Sequence, residues 1–349
     1  MTSTTSPLTE ANYAHSHAPS PGKVDGVLDS ALDNVLGAAP KVEKTPLVRS
    51  QERFRDELFA AGILLPMKTA GLVGRSAVFE RVVAGVVNAA VRAGAPFKAT
   101  GLAFPPVLPR RVIEKTDYLR SFPDMLGSVH AFTGNERDHM SILNAVENAE
   151  DWAVGFSSSD AVLLPASCYP IYLWREGTQV PASGEVFTVT GQCYRHEPSP
   201  DPARLRCFRQ HEHVIIGSPE AAASFAQQWG ELTVSVLRSM HLPAERVVAN
   251  DPFFGRMGKL LAASQMEQAL KHEVVIPINS DEFPTACASV NQHHDHFTEP
   301  FDITLAGGGV AHTACVGFGL ERIALALFKH HGFSVSAWPA VTRAVLGLL

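Results

Sequence analysis

The stretch Gly191–Gly217, GQCYRHEPSPDPARLRCFRQHEHVIIG, decides how the rest of the chain is read. Thr188, Val189, Cys193 and Tyr194 on its near side, and Phe208, Val214, Ile215 and Ile216 on its far side, predict the two strands of a hairpin. Pro198, Pro200 and Pro202 between them cannot donate to a ladder, so the pairing breaks there into a long loop. Side chains alternate across a strand, which puts Arg195 and Glu197 on one face. Arginine grips phosphate through a planar fork and glutamate accepts from an amine. With Arg204, Arg206 and Arg209 nearby, the pattern suits a nucleotide such as ATP. A solvated surface ion pair explains the same residues equally well, and the hairpin alone does not choose.

The 349 residues (37.6 kDa) leave room for one large α/β domain or two ordinary ones. A hydrophobic share of 46% against 18% charged supports a sizeable core. The formal net charge of −6 argues against broad, sequence-independent binding of nucleic acid. No apolar run approaches the roughly 20 residues of a membrane span, and the N-terminus has no apolar signal core. Cys168, Cys193, Cys207, Cys287 and Cys315 are scattered, which is not a disulfide scaffold. A cytoplasmic, reducing setting is expected, with the thiols either small buried hydrophobes or metal ligands.

Residues 1–45, rich in Ser, Thr, Pro, Ala and His, are expected to form a disordered leader with one short helix near Val24–Leu36. The rest, 46–349, is read as one domain with a helical insertion at about 218–270. From Ser76, the residues Phe79, Val82, Val83, Val86, Val87, Ala90 and Val91 share a helical face that Gly94 ends. A strand-like run Phe97–Phe104 and the pair Pro105-Pro106 follow. A second helix is expected over Asn135–Asn148, short strands over Ala161–Leu164 and Tyr169–Leu173, and a capped helix from Ser218 to about Met240. Met257–Lys271 reads as a helix. Glu273–Ile278, Thr285–Asn291, Phe301–Leu305 and Ala311–Val316 read as strands. Gly317-Phe318-Gly319-Leu320-Glu321-Arg322 then opens a last helix that stops at Gly332, with Arg322 in its first turn, where it can reach a phosphate. Strands outnumber βαβ units in the second half, so the fold class is α/β in the broad sense, α+β in detail: a mainly antiparallel sheet flanked by helices.

Together, Tyr194-Arg195-His196-Glu197, the Arg204 loop, the strand Phe208–Val214 and the late Gly-Phe-Gly-Leu-Glu-Arg resemble the class II aminoacyl-tRNA synthetase core. The hairpin resembles its motif 2 and Gly317–Arg322 its motif 3. The helix from Ser76 with the proline-bearing strand resembles motif 1, the dimer element, which implies a homodimer. Within the class, the chain is similar to the zinc-dependent, methanogen-type seryl-tRNA synthetases. That resemblance implies a Zn²⁺ ion on Cys168, Glu212 and Cys315. Three protein ligands leave a fourth position open, the pattern of a working zinc, and the resemblance implies that the substrate amino group takes it. A seryl-tRNA synthetase also needs a tRNA-binding arm, and the short unperiodic leader does not resemble one. The stretches ASCYPIY, RHEPS and TACASVNQHHDHF resemble instead the amino acid:[carrier protein] ligases, truncated relatives of those synthetases. These charge the phosphopantetheine thiol of an acyl-carrier protein, without tRNA and without a membrane.

By the same resemblance Arg195 holds the α-phosphate, Glu197 the adenine amine, and Arg204 with Leu205 covers the nucleotide. Arg322 takes the γ-phosphate end. Ala286, Cys287, Ala288, Ser289 and Val290, followed by Asn291, line the site of ATP and its Mg²⁺. Phe208 and His213 are candidates to stack on adenine. Glu212, Asn291 and Lys271 are expected at the substrate; for Lys271, an ordinary charge at a helix C-terminus is the competing explanation. Arg110, Arg111 and Lys115, the loop arginines, or the helix after Ser218 are candidate guides for an acidic carrier protein. The implied substrate is small, glycine first and alanine second. Three other readings compete: a reduced seryl-type tRNA synthetase, a catalytically silent paralogue acting as a binding subunit, and a metallohydrolase built on His211, His213, His293, His294 and His296 with Asp295. Adjacent histidines on a strand face opposite sides, which counts against the last.

Overall fold

In the computed structural model the structure describes residues 45–251, 265–266 and 270–349. The leader with its helix near Val24–Leu36, and most of the Met257–Lys271 helix, lie outside the described residues. Among these, a sheet of seven strands runs in the spatial order Glu245–Val248, Lys271–Ile276, Thr285–His294, His312–Gly319, Cys207–Gly217, Glu185–Tyr194, Thr100–Leu102. Every neighbouring pair is antiparallel except the last, so the expected sheet is present. No described helix is long and apolar enough to cross a membrane.

The two faces of the sheet carry different cargo. His213, Ile215, Val290, Ala314 and Val316 point to one face, where helices Ala77–Ala93, Pro219–Ser239 and Leu320–His331 build the larger core. The helix from Ser76 forms as expected, with the Ser76 hydroxyl accepting from the Phe79 N–H. Its apolar stripe turns into its own chain, and Phe79 stacks on Phe328 with ring centroids 5.9 Å apart. Val91 is the exception, half-exposed near the helix end. Two glycines let this helix close in. A Cβ on Gly85 would stand 2.5 Å from the Leu346 carbonyl oxygen, and one on Gly94 2.5 Å from His213 Cε1.

The opposite face carries Phe187, Val189, Val214, Ile216 and Cys315, and the segment between residues 107 and 175 covers part of it. That segment holds a small three-stranded antiparallel sheet, Val107–Pro109, Ser157–Leu163 and Ser128–Ala131. It also holds the helix Glu136–Glu147, whose Asn135 and Asp138 form a capping box.

Several boundaries differ from expectation. Tyr169–Trp174 is a helix, because Pro170 sits in its first turn and Tyr169, Ile171 and Tyr172 cluster on its buried side. The run Phe97–Phe104 is a 3₁₀ turn, Ala95–Phe97, and then the short strand Thr100–Leu102. Lys271 opens a strand and does not end a helix. The insertion after residue 218 is not purely helical, since Glu245–Val248 adds the outermost strand of the sheet.

A Gly85→Val substitution drives a branched side chain into the Leu346 backbone. It should cost about 1–3 kcal/mol, read as a lower denaturant midpoint at unchanged slope. An unchanged midpoint would mean that the two helices do not pack this closely.

Candidate active site

Strand register fixes the floor of the site. Glu212 lies opposite Gly317, which lies opposite Ser289; two residues along the same face, Cys315 lies opposite Asn291, which lies opposite Lys271. Cys168 arrives from outside the sheet, at the start of the helix Tyr169–Trp174. The backbone beside it is tied down by the Ser167 N–H donating to Glu212 Oε1 at 3.3 Å, and by the Ser167 hydroxyl donating to the Gln210 carbonyl at 3.1 Å.

These three side chains are buried. The Cys315 thiol is held well below its ordinary pKa by Cys168 beside it, and next by His293. Cys168 is pushed up by its interaction with Cys315 and by burial. Burial, with the Cys315 charge adding to it, raises the Glu212 carboxyl to about 8. Glu212 Oε2 is buried and has no hydrogen-bond partner. As the side chains stand, no three His, Cys, Asp or Glu groups among the described residues form a ready-made metal cage. The donor set fits zinc all the same: two sulfurs, one carboxylate, and an orphaned oxygen that a cation would satisfy.

The three line a cavity of about 500 Å³. Also on its walls are Arg195, Glu197, Arg204, Leu205, Phe208 and Arg322, together with Ala286, Cys287, Ala288, Ser289, Asn291 and Lys271. The motif-like residues are thus brought together, with two exceptions. Val290 points away and packs in the helix-covered core, as alternation along its strand requires; Cys287 and Ala288 are buried in that core too, although they also border the cavity. His213 also faces the helices; it is buried against Trp229 at 4.7 Å between ring centroids and cannot reach a nucleotide. Phe208 does line the cavity, with the Arg195 guanidinium 5.5 Å from its ring centre.

The arginines divide into two kinds. Arg322 Nε donates to the Ala203 carbonyl at 2.9 Å and its Nη1 to the Ala286 carbonyl at 3.0 Å. Arg195 Nε donates to the Pro165 carbonyl at 3.2 Å. Carbonyls fix a guanidinium without cancelling its charge, and among the described residues no carboxylate forms an ion pair with either. Burial pulls the Arg322 pKa down, a cost that an arriving anion would relieve. Arg209 is different. It meets Glu80 at 2.6 Å and Glu321 at 2.8 Å, and Arg75 meets the same Glu321 at 2.7 Å. Arg209 is therefore structural, not a ligand arginine. Arg204 lines the cavity but pairs with Glu197 at 2.9 Å, a contact that an anion arriving at Arg204 would compete with. Arg110, Arg111 and Lys115 are likewise occupied, by Glu114 in the first case and Glu176 in the other two.

Lys271 sits at the cavity wall between Asp251 and Glu273, 3.1 Å from Glu273 Oε1. Burial opposes ionisation of Asp251, but Lys271 and Gln265 hold its carboxyl below the usual range. Asp251 and Glu273, which no sequence signal singles out, also line the cavity, as do His293 and His296 from the metallohydrolase reading. Asp251 and Glu273 belong to no motif. The histidine run was visible but was assigned to a rival reading.

No family model matches the chain. Two curated relatives, amino acid--[acyl-carrier-protein] ligases 1 and 2 of Bradyrhizobium diazoefficiens, are 38% and 39% identical to it over 323 and 311 residues. The first alignment covers 91% of this chain and 95% of the relative, the second 89% and 91%. A type-2 serine--tRNA ligase of Methanopyrus kandleri is 31% identical over 191 residues, which is 51% of this chain and 36% of that protein. Among solved structures, M. kandleri SerRS in complex with an A. aeolicus tRNASec superposes with a TM-score of 0.72 at 20% identity. That match covers 89% of this chain and 62% of the synthetase. Seryl-tRNA synthetase from Pyrococcus horikoshii, complexed with ATP, gives 0.63 at 14% identity, covering 93% of this chain and 68% of that one. At these identities the structures establish the fold: a class II synthetase-like sheet flanked by helices.

Lys271→Met strips the cation from Asp251 and should destabilise the protein by about 1–3 kcal/mol in chemical denaturation. Adding Asp251→Asn to it should cost little more, because the contact is already gone. Fully additive losses would show that the two side chains are not partners.

Proposed function

The chain belongs to the amino acid--[acyl-carrier-protein] ligase family, and we propose that it activates glycine, or second alanine, with ATP and passes it to an acyl-carrier protein. The observation that carries this reading is the placing of two guanidiniums free of carboxylate partners, Arg195 and Arg322, in one cavity with Cys168, Glu212 and Cys315. The same cavity offers guanidiniums to an anion and two thiols with a carboxylate to a cation. ATP with its Mg²⁺ and an amino acid offer both.

In the proposed first step a substrate carboxylate oxygen bonds to the α-phosphorus of ATP, and the bond to the bridging oxygen breaks to release pyrophosphate. Arg195 and Arg322 hold the phosphates in line and stabilise the charge that develops on them. Phe208 offers a face to the adenine ring, and Glu197, freed from Arg204, accepts from its amine. Zinc, held by Cys168, Glu212 and Cys315, would supply a Lewis acid for the substrate amino group and so fix the direction of the carboxylate. Asn291, 3.5 Å from Cys315, stands where it can hydrogen-bond that substrate. In the second step the phosphopantetheine thiol attacks the carbonyl carbon and AMP leaves, giving a thioester. The preference for a small amino acid rests on family likeness, with Tyr169 and Phe297 packed edge to face at 5.4 Å as the nearby aromatic wall. A cytoplasmic homodimer completes the reading. The inward packing of Ala77–Ala93 leaves the pairing surface to be found by cross-linking.

Cys315→Ala should abolish amino-acid-dependent ATP–pyrophosphate exchange and leave ATP binding largely intact. Undiminished exchange in that variant, after removal of added metal, would take the thiol and its ion out of the reaction. Radiolabelled glycine should transfer to holo-acyl-carrier protein and not to tRNA. Transfer to tRNA alone would favour the reduced synthetase, and strong exchange with serine but none with glycine or alanine would refute the small substrate.

A further inference from the structure

The histidine run after Asn291 is unused by the proposed reaction, yet it sends one ring to the thiols. His293 lines the cavity, with its Nε2 3.7 Å from Cys315 Sγ and its Nδ1 3.1 Å from the hydroxyl of buried Thr313. The ring is braced edge to face on Phe297 at 5.0 Å. A hydroxyl that donates to Nδ1 places the imidazole proton on Nε2, facing the sulfur. Asn291 Nδ2 approaches the same sulfur at 3.5 Å. Among the described hydrogen bonds Cys168 has no nitrogen donor. With the Thr313 hydroxyl as the donor to Nδ1, the Cys315 sulfur faces two N–H groups, while Cys168 faces none among the described hydrogen bonds.

We infer that His293 is a positioning residue, oriented by Thr313, whose Nε2–H holds the Cys315 sulfur toward the ion and draws charge from it. The inference rests on the zinc reading above and deepens it. Two thiolates and a carboxylate bring three negative charges to a dication, which weakens its appetite for a neutral amine. Hydrogen bonds to a ligating sulfur reduce the charge it donates. His293 and Asn291 then keep the ion acidic enough to take the amino group, and the fixed ring keeps Cys315 aimed.

The test compares wild type with His293→Phe, which keeps an aromatic ring against Phe297 but no donor, and His293→Gln, which keeps an N–H of similar reach. Zinc retention against a chromogenic chelator, the sulfur-to-metal charge-transfer band of cobalt-loaded protein, and separate KM values for glycine and ATP are measured. Thermal unfolding of the zinc-free proteins controls for the fold. H293F should lose zinc about 10–100-fold more readily, shift the cobalt band, and raise the KM for glycine but not for ATP. H293Q should restore most of each. Equal zinc retention and KM in H293F overturn the inference, as does H293Q failing as badly as H293F, which would make the role one of shape. X-ray absorption that finds an imidazole nitrogen bonded to the wild-type metal also overturns it, because His293 would then be a ligand. Wild-type protein that binds no zinc fails the underlying reading first, and that result is distinguishable from all the others.

Discussion

Everything at the site depends on the register between Cys207–Gly217 and His312–Gly319. With Glu212 opposite Gly317, the carboxylate and the Cys315 sulfur share the open face of the sheet. A slip of one residue in either strand would turn that strand's side chain, Glu212 or Cys315, into the helix-packed core and bring out His213 or Val316 in its place. The register is pinned at one end by a charged clamp. The Arg209 backbone N–H and side chain both donate to Glu321, which is buried and also holds Arg75. A carboxylate buried this deeply is tolerable only because two guanidiniums and a backbone donor satisfy it. The hairpin, the last helix and the start of helix Ala77–Ala93 are thereby locked to one another.

The same logic separates scaffold charges from working ones. Arg75 and Arg209 are neutralised by Glu80 and Glu321, and they orient the framework. Among the described residues Arg195 and Arg322 have carbonyl partners and no carboxylate, and Arg195 also lies over the Phe208 ring, so both keep their charge for whatever enters the cavity. Arg204 and Lys271 lie between these cases, each resting on an acid that a ligand could replace. The cavity wall thus carries two kinds of group: arginines with no carboxylate partner among the described residues, and two neighbouring thiols with an orphaned carboxylate oxygen. That division suits a molecule pair that is anionic at one end and amine-bearing at the other.

Much of this was legible in the sequence, for identifiable reasons. The hairpin Glu185–Gly217 announced itself through β-branched runs around a proline-broken loop, and the last helix through Gly319 and Gly332. Arg195 and Glu197 both line the cavity, but the strand ends at Tyr194, so the turn after it and not strand alternation puts them there. Strand parity sends Val290 and His213 to the helix-covered face, away from the cavity. The run Tyr169–Leu173 reads as a strand because a short apolar run has no period of its own, although Pro170 in the first turn of the helix is a usable signal. Asp251, Glu273 and the Thr313–His293 contact could not be found by any local pattern. They come from loops and strands distant in the chain, and only the folded sheet brings them to the thiols.

The most direct measurement is anomalous diffraction at the zinc edge from crystals grown with a non-hydrolysable glycyl-adenylate analogue. The account predicts a single peak bounded by the sulfurs of Cys168 and Cys315 and a carboxylate oxygen of Glu212. The analogue's nitrogen should complete the shell, and its phosphate isostere should lie on Arg195. No peak at that place, or a metal closed off by a fourth protein ligand with the analogue elsewhere, would contradict it.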